Sequence, residues 1–240
     1  MTFFTATIQE KKQEVEDTYI FQLVPNETYP TFLPGQYCYL KNPEYKNPDE
    51  VHPFSIASSP LEKRYLEFCI KAYGQWTQTF AKKQIGEIIK ISQPEGKFTW
   101  NNNVNHAVFL LGGIGISPIM SMLRSLVKNN HKPDSLTMLY GNRTPQTIAY
   151  NDELQQLQKD LPNFKIIHIF SHVPKEHPWK GYRGFITKDI IEREVHVDMK
   201  PIFFIVGPPI FLQKMEQTLA LLNVEKNDIR KESLDIHDNT

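Results

Sequence analysis

The stretch Leu111-Gly-Gly-Ile-Gly-Ile-Ser-Pro118 joins a short apolar run, His106–Leu111, to a segment of helical periodicity, Pro118–Lys128. A glycine-rich turn between a strand and a helix lets the backbone pass close to a bulky anion, and the start of the helix favours phosphate. Ser117 suits the N-cap, and Pro118 suits the first helical turn. The spacing is Gly-x-Gly-x-x-Pro, which departs from the standard dinucleotide pattern. A tight turn without a ligand therefore remains an alternative.

The residues after this turn alternate short apolar runs with helical patterns. Such repetition is typical of a parallel sheet with helices on both faces. The predicted strands are His106–Leu111, Leu136–Tyr140, Phe164–Phe170 and Ile202–Val206, and the predicted helices are Pro118–Lys128, Asn151–Leu161, Ile186–Glu194 and Ile210–Leu222.

Two further strands of this region also end in residues suited to a nucleotide. Gly207-Pro208-Pro209 follows the strand at 202–206, and Asn142-Arg143-Thr144 follows the strand at 136–140. The guanidinium of Arg143 could pair with a phosphate or a ribose, although an exposed loop arginine is an alternative. Because ligands bind at the carboxyl ends of the strands in open parallel sheets, we expect a nucleotide at this edge.

The first hundred residues have a different pattern. Six short segments rich in Ile, Val, Phe, Tyr and Thr are separated by Pro, Gly and Asn, which predicts a closed antiparallel barrel or a sandwich. The predicted strands are Phe3–Lys12, Tyr19–Pro25, Gln36–Leu40, Phe54–Ala57, Tyr65–Tyr73 and Glu87–Gln93, with one helix at Trp76–Lys83. The change of pattern predicts two domains, residues 1–101 and 102–240.

Two stretches of the first domain stand out, His52-Pro-Phe-Ser-Ile-Ala-Ser58 and Ile70-Lys-Ala-Tyr-Gly-Gln-Trp-Thr77. The second passes through a glycine into a short helix, whose amides could hold a pyrophosphate. By composition alone, each stretch is more often ordinary strand packing than a cofactor site.

Taken together and in order, these five motifs resemble the ferredoxin–NADP reductase superfamily, and the first two are most similar to its ferric reductase and NADPH oxidase branch. The resemblance covers nearly the whole chain, from Gly35 to Glu232. It implies an antiparallel β-barrel FAD-binding domain followed by an α/β parallel-sheet NAD(P)-binding domain, with hydride passing from NAD(P)H to FAD.

The resemblance also implies roles for residues of the barrel. Ser55 would be a catalytic residue that hydrogen-bonds near flavin N5, and Phe54 would stack near the flavin ring or the adenine-linked chain. His52 stands where many members of the superfamily have arginine, which weakens the permanent positive charge at the flavin. The implied FAD-binding residues are His52, Pro53, Phe54, Ser55, Ile70, Lys71, Gly74, Gln75, Trp76 and Thr77.

In the second domain the resemblance implies a nucleotide site and one further catalytic residue. Glu232 matches a C-terminal glutamate of many members, whereas Val206 replaces a common cysteine and Leu234 a common aromatic residue. The implied NAD(P)-binding residues are Gly113, Ile114, Gly115, Ser117, Pro118, Asn142, Arg143, Thr144, Gly207, Pro208 and Pro209.

Composition argues against other classes of protein. Twenty-seven basic and 27 acidic residues cancel, which disfavours nucleic acid and anionic membranes as partners. No apolar run reaches the roughly 20 residues of a membrane-spanning helix and no secretory signal is visible, so we expect a cytoplasmic protein. Cys38 and Cys69 are too few for an iron–sulfur cluster. His168, His172 and His177 lie on a predicted strand and the loop after it and need not converge, so no metal site is expected.

The sequence therefore predicts an NAD(P)H-dependent flavoprotein reductase that passes electrons to a separate acceptor, such as a ferredoxin, a haem protein or a small molecule. The alternative is a non-catalytic or regulatory electron-transfer subunit of a larger redox complex. The choice between NADH and NADPH and the oligomeric state stay open.

Overall fold

The computed structural model of the chain describes residues 2–234. The chain divides into two compact units. Of the described residues, the first contains 2–100 and Ser117–Asn129, and the second contains Asn101–Ile116 and 130–234. The division into domains at residues 101 and 102 stays a prediction.

An antiparallel sheet of six strands forms the body of the first unit. The strands are β1 (Phe3–Val15), β2 (Thr18–Pro25), β3 (Tyr37–Lys41), β4 (Val51–Ser55), β5 (Leu66–Lys71) and β6 (Ile88–Ser92). They lie in the order β4-β3-β6-β1-β2-β5. An antiparallel bridge between Ile56 and Phe68 links the two outermost strands and closes the sheet. The predicted antiparallel barrel is therefore confirmed.

The barrel core is formed by inward-facing side chains, which alternate along β3 and the first half of β1 as the period of two in a strand predicts. In β1, Phe4, Ala6 and Ile8 are buried, while the residues between them are partly exposed. Phe21 and Phe68, which are fully buried, fill the centre of the same core.

Two helices complete the first unit, α1 (Gln75–Phe80) and α2 (Ile116–Lys128). Helix α2 follows the glycine-rich turn in the sequence, yet its residues from Ser117 onward cluster with the barrel. The Ser121 hydroxyl donates to the Ser58 carbonyl at 2.7 Å, and a β-carbon on Gly35 would lie 2.6 Å from the Met122 methyl group. These contacts seat α2 on the barrel segment that follows β4.

The second unit is a parallel sheet of six strands with helices around it. The strands are β7 (His106–Gly112), β8 (Ser135–Asn142), β9 (Phe164–Phe170), β10 (Tyr182–Arg183), β11 (Ile202–Gly207) and β12 (Ile229–Ser233), and the helices are α3 (Asn151–Asp160), α4 (Lys188–Glu194) and α5 (Pro209–Leu221). The strand order is β10-β9-β8-β7-β11-β12, and every pairing is parallel. The predicted α/β parallel-sheet domain is confirmed.

One face of this sheet packs against α4 and α5 through an aliphatic core that includes Leu110, Ile205, Ile191 and Leu219. The four central strands are apolar along most of their length, as expected of strands buried on both faces. Among residues 2–234, no helix combines the length and the apolar character needed to cross a membrane.

Candidate functional site

The carboxyl ends of four neighbouring strands carry predicted site residues of the second unit, three of them for binding a nucleotide and the fourth, Glu232, for catalysis. Strands β8, β7, β11 and β12 are adjacent and parallel, so their last residues share one edge of the sheet. At this edge lie Asn142, Gly113, Gly207 and Glu232. The second unit thus brings together residues that are up to 119 positions apart in the sequence (232 − 113).

The turn after β7 approaches β11 so closely that it requires a glycine. A β-carbon added to Gly115 would lie 2.7 Å from the Val206 carbonyl oxygen and 3.1 Å from its β-carbon. Because the first neighbour is backbone, rotation of a side chain cannot relieve this contact. Gly115 is therefore required by the packing of the turn on β11. At Gly113, by contrast, an added β-carbon would meet no atom within 4 Å, so the backbone of the turn is bare there and fits the close approach of a phosphate group.

The predicted helix cap at Ser117 is wrong. Residues Gly113–Gly115 form one 3₁₀ turn, and α2 begins directly after it at Ile116. Ser117 is therefore inside the first turn of the helix, where it is 4% exposed. Pro118 lies in the same first turn, as predicted, where an amide hydrogen is not required. A 3₁₀ turn commonly precedes an α-helix, and here it moves the helix start by two residues from the expected one.

Asn142 carries a buried donor in the second unit that fits a polar ligand. Its side chain is 7% exposed, and its amide nitrogen Nδ2 has no hydrogen-bond partner within the described part of the chain. An unpaired buried donor costs about 1–3 kcal/mol. The amide therefore fits a polar ligand that accepts its hydrogen bond, such as a ribose hydroxyl or a phosphate oxygen.

The residues next to Asn142 adjoin the segment that follows β9. The Arg143 carbonyl accepts a hydrogen bond from the His172 amide at 2.8 Å, and the Asn142 carbonyl accepts one from the Ser171 amide at 3.0 Å. Thr144 opens a 3₁₀ turn, with its amide bound to the Thr147 hydroxyl at 3.2 Å. Sequence reasoning missed Ser171 and His172 as neighbours of the predicted ribose end.

The turn Gly207-Pro208-Pro209 at the third strand end is fixed by the helix that follows it and by a hydrogen bond from the segment after β12. Pro208 precedes α5, which begins at Pro209, and the Gly207 carbonyl accepts from the Leu234 amide at 3.0 Å. In the register of β11 and β12, Val206 is paired with Glu232. Glu232 therefore lies beside the glycine–proline turn, while its predicted catalytic role stays a prediction.

In the first unit, two of the predicted FAD motifs meet at the Trp76 ring. The His52 ring stacks on it with centroids 4.6 Å apart, and the Phe54 ring stacks on it at 5.5 Å. His52 and Phe54 share a face because they are two residues apart on β4. Pro53 is exposed on β4, an outermost strand where the missing amide is tolerated, and Ser55 is 8% exposed.

The Trp76 side chain also carries a buried donor that fits a ligand. It is 2% exposed, and its indole nitrogen Nε1 has no hydrogen-bond partner in the described residues. In the turn before it, the Thr77 hydroxyl accepts from the Tyr73 and Gly74 amides at 3.0 Å each. Gln75 begins α1, and its side-chain oxygen lies 3.2 Å from the Lys46 ammonium. These donors fit a cofactor with an anionic linker, as FAD has.

Ile70 and Lys71 are held by the protein itself. Ile70 is fully buried in the barrel core, so any contact that it makes with a cofactor would come from its backbone. The Lys71 ammonium pairs with the Asp17 carboxylate at 3.1 Å. Their predicted role in FAD binding stays a prediction.

The three histidines considered for a metal do not form one site. His168 stacks on Phe170 at 5.9 Å, His172 is bonded to the Ser171 hydroxyl at 2.8 Å, and the His177 ring accepts from the Trp179 amide at 3.1 Å. Among residues 2–234 there is no group of three His, Cys, Asp or Glu side chains that could hold a metal ion.

Family models match both halves of the chain. Residues 5–100 match the oxidoreductase FAD-binding domain, and residues 109–217 match the oxidoreductase NAD-binding domain. NADH-cytochrome b5 reductase 1 of Dictyostelium discoideum is 29% identical over 229 residues, which cover 92% of this chain and 79% of that protein.

Solved structures share the fold over almost the whole chain. The FAD/NAD-binding domain of a nitric oxide dioxygenase from Vibrio cholerae O1 biovar El Tor has a TM-score of 0.83 at 21% identity, covering 96% of this chain and 98% of that one. Ferredoxin-NADP+ reductase from Plasmodium falciparum has a TM-score of 0.79 at 22% identity, covering 97% and 96%. With an FAD-binding and an NAD-binding domain in this order, the chain belongs to the ferredoxin–NADP reductase superfamily and is an NAD(P)H-dependent flavoprotein reductase.

Proposed function

We propose that this reductase delivers electrons from NAD(P)H, through FAD, to a small haem-carrying electron carrier similar to cytochrome b5. The observation that carries the FAD part of the proposal is the meeting of His52 and Phe54 on the Trp76 ring. The haem carrier is supported by the relative of 29% identity, whose name specifies cytochrome b5.

FAD, when bound, would supply the redox chemistry that connects NAD(P)H to the acceptor. The protein's part is binding and orientation. The stacked rings of His52, Phe54 and Trp76 form an aromatic face at β4, and the indole donor of Trp76 is available for a hydrogen bond. Neither a nucleophile nor a strong base is needed for this chemistry.

The second unit would hold the nucleotide at the carboxyl edge of its sheet. The turn at Gly113–Gly115, bare at Gly113, would receive the pyrophosphate, and the buried Asn142 amide would donate to the ribose or to a phosphate oxygen. Orienting two reactants in this way removes much of the entropic barrier to their reaction.

The choice of acceptor can be tested directly. The FAD-loaded protein is mixed anaerobically with saturating NAD(P)H and either cytochrome b5 or a [2Fe–2S] ferredoxin, and reduction of each carrier is followed by its own absorption. We expect faster reduction of cytochrome b5, with protein stripped of FAD as the control. Equal or faster reduction of the ferredoxin would contradict the haem acceptor, and a flavin that neither nucleotide reduces would contradict the function as a whole.

We further propose that the site accepts the 2′-phosphate of NADPH. Arg143 and His172 lie at the same sheet edge, joined through the Arg143 carbonyl, and the segment Ser171–Lys175 contains no acidic residue. A guanidinium is suited to binding a phosphate. The proposed subsite is therefore cationic.

Replacing Arg143 with glutamine should raise the KM for NADPH by about tenfold, as expected for loss of a charge-assisted hydrogen bond, with less than about a twofold change for NADH. Steady-state rates with both nucleotides measure the effect. Lys132→Gln is the matched control, because Lys132 precedes the amino end of β8 and is exposed. Equal changes for the two nucleotides in Arg143→Gln would contradict the 2′-phosphate subsite.

A further inference from the structure

A buried tyrosine next to the glycine-rich turn has no role in the reaction described above. Tyr140 lies on β8 and is fully buried. Its hydroxyl donates a hydrogen bond to the Gly113 carbonyl oxygen at 2.9 Å. This bond joins the body of the sheet to the first residue of the 3₁₀ turn at Gly113–Gly115.

The hydrogen bond from Tyr140 restrains a glycine whose lack of a side chain leaves its backbone free to adopt several conformations. Gly113 has a φ of 55°, in the left-handed region that glycine enters without steric cost. A β-carbon added there would meet no atom within 4 Å, whereas one added to Gly115 would meet the Val206 backbone. The hydrogen bond from Tyr140 therefore acts on a glycine in the left-handed region whose β-carbon direction is open.

The Tyr140 side chain is itself held rigidly. In the register of β7 and β8, Leu111 is paired with Tyr140 and Gly112 with Gly141. The Tyr140 ring lies 6.0 Å from the His168 ring, which in turn stacks on Phe170. Burial lowers the pKa of His168, which favours the uncharged form of the ring next to the tyrosine.

We propose that Tyr140 is a positioning residue, whose hydroxyl holds the Gly113 peptide in the orientation that binds NAD(P)H. This inference rests on the proposed nucleotide site at Gly113–Pro118. The hydroxyl reaches a backbone atom of the turn and acts on the nucleotide only through it. Loss of the hydroxyl therefore weakens nucleotide binding and leaves the maximal rate almost unchanged.

The test compares Tyr140→Phe with a matched control, Tyr182→Phe. Both substitutions remove one hydroxyl from the second unit; that of Tyr182 is bonded to Glu194 and not to the turn. We expect Tyr140→Phe to raise the KM for NADPH and the Kd for NADP+ by about fivefold, the effect of one neutral hydrogen bond. We expect a change in kcat of less than about twofold, because only positioning of the turn is affected.

Amide hydrogen exchange measures the effect of Tyr140→Phe on the turn itself and does not depend on enzyme turnover. In Tyr140→Phe, exchange should accelerate in residues 112–116 and stay unchanged in α4, and saturating NADP+ should restore the protection. The Tyr182→Phe variant should leave the turn unchanged. This measurement remains decisive if the variant has low activity for another reason.

Each outcome distinguishes the two proposals. A wild-type protein that binds NADP+ and a Tyr140→Phe variant with the same Kd and the same exchange would overturn the role of Tyr140 while the function stands. A fall in kcat with an unchanged KM would overturn it too. If the wild-type protein does not bind NADP+ or NAD+ at all, the proposed function fails, and the inference fails with it.

Discussion

Replacing Gly115 with alanine should raise the KM for NAD(P)H by about ten- to a hundredfold while FAD stays bound. The new β-carbon would lie 2.7 Å from the Val206 carbonyl oxygen, a distance that atoms in van der Waals contact do not reach. Either the turn or β11 must therefore shift. Displacement of a binding element by less than 1 Å can cost about a hundredfold in rate, and the turn is where we place the pyrophosphate.

The effect is measured by stopped-flow reduction of the flavin over a range of NADPH and NADH concentrations. Gly86→Ala is the control, because Gly86 lies in the first unit and a β-carbon there would meet no atom within 4 Å. Its φ of 92° will make that variant less stable without affecting the nucleotide. The assignment of the turn fails if Gly115→Ala keeps a wild-type KM for both nucleotides.

The class of fold could be predicted from the sequence because each half has a strong periodic pattern. The central strands β7 and β11 are almost purely apolar, and the barrel strand β3 and the first half of β1 alternate buried and partly exposed side chains. The two strands that were missed are at the edges of the second sheet. Strand β10 has two residues, and β12 has the polar sequence Ile-Arg-Lys-Glu-Ser, so neither shows the apolar pattern of a strand.

The site could be predicted as a set of strand ends but not as a set of contacts. The sequence pattern indicated that Gly113, Arg143 and Gly207 follow parallel strands, and the sheet order brings them to one edge. It contained no signal that the Tyr140 hydroxyl reaches the turn, because a tyrosine in a buried strand is ordinary. The stacking of His52 and Phe54 on Trp76 was equally hidden, since it depends on how α1 packs on the barrel.

Helix α2 shows how a polar pattern can mislead. Ser121, Arg124 and Lys128 recur at intervals of three and four residues, which in an isolated helix indicates the face exposed to water. In the structure this stripe contacts the barrel: Ser121 with Ser58, Arg124 with Glu67, and Lys128 with Glu62. The element against which an amphipathic helix packs decides which of its faces is exposed to water. The sequence of the helix alone does not specify that element.

Replacing Arg124 with methionine should lower the free energy of unfolding of the first unit by about 3 kcal/mol, the cost of breaking a buried ion pair from one side. The guanidinium lies 2.6 Å from Glu67 Oε1 and 2.9 Å from the Ala57 carbonyl oxygen. The side chains of Arg124 and Glu67 are only 15% and 5% exposed. The substitution would leave the Glu67 carboxylate buried without this cation.

The loss of stability should lower the urea concentration at which half of the flavin is released. The FAD concentration is kept fixed, because bound ligand adds to stability. Lys128→Met on the same helix is the matched control. Its ammonium is 41% exposed, and Glu62 keeps the Arg64 guanidinium, whose hydrogen bonds lower the pKa of Glu62 to about 2. The control should therefore cost less than about 1 kcal/mol.

A second substitution separates the buried charge from the packing of the helix. If the uncompensated carboxylate is the cause, adding Glu67→Gln to Arg124→Met should recover part of the lost stability, because the neutral amide is less costly to bury than the charge. If lost packing is the cause, the double variant should be no more stable than Arg124→Met. A cost for Arg124→Met no larger than that of Lys128→Met would mean that α2 is held on the barrel by its apolar contacts, and that the Arg124–Glu67 pair adds little.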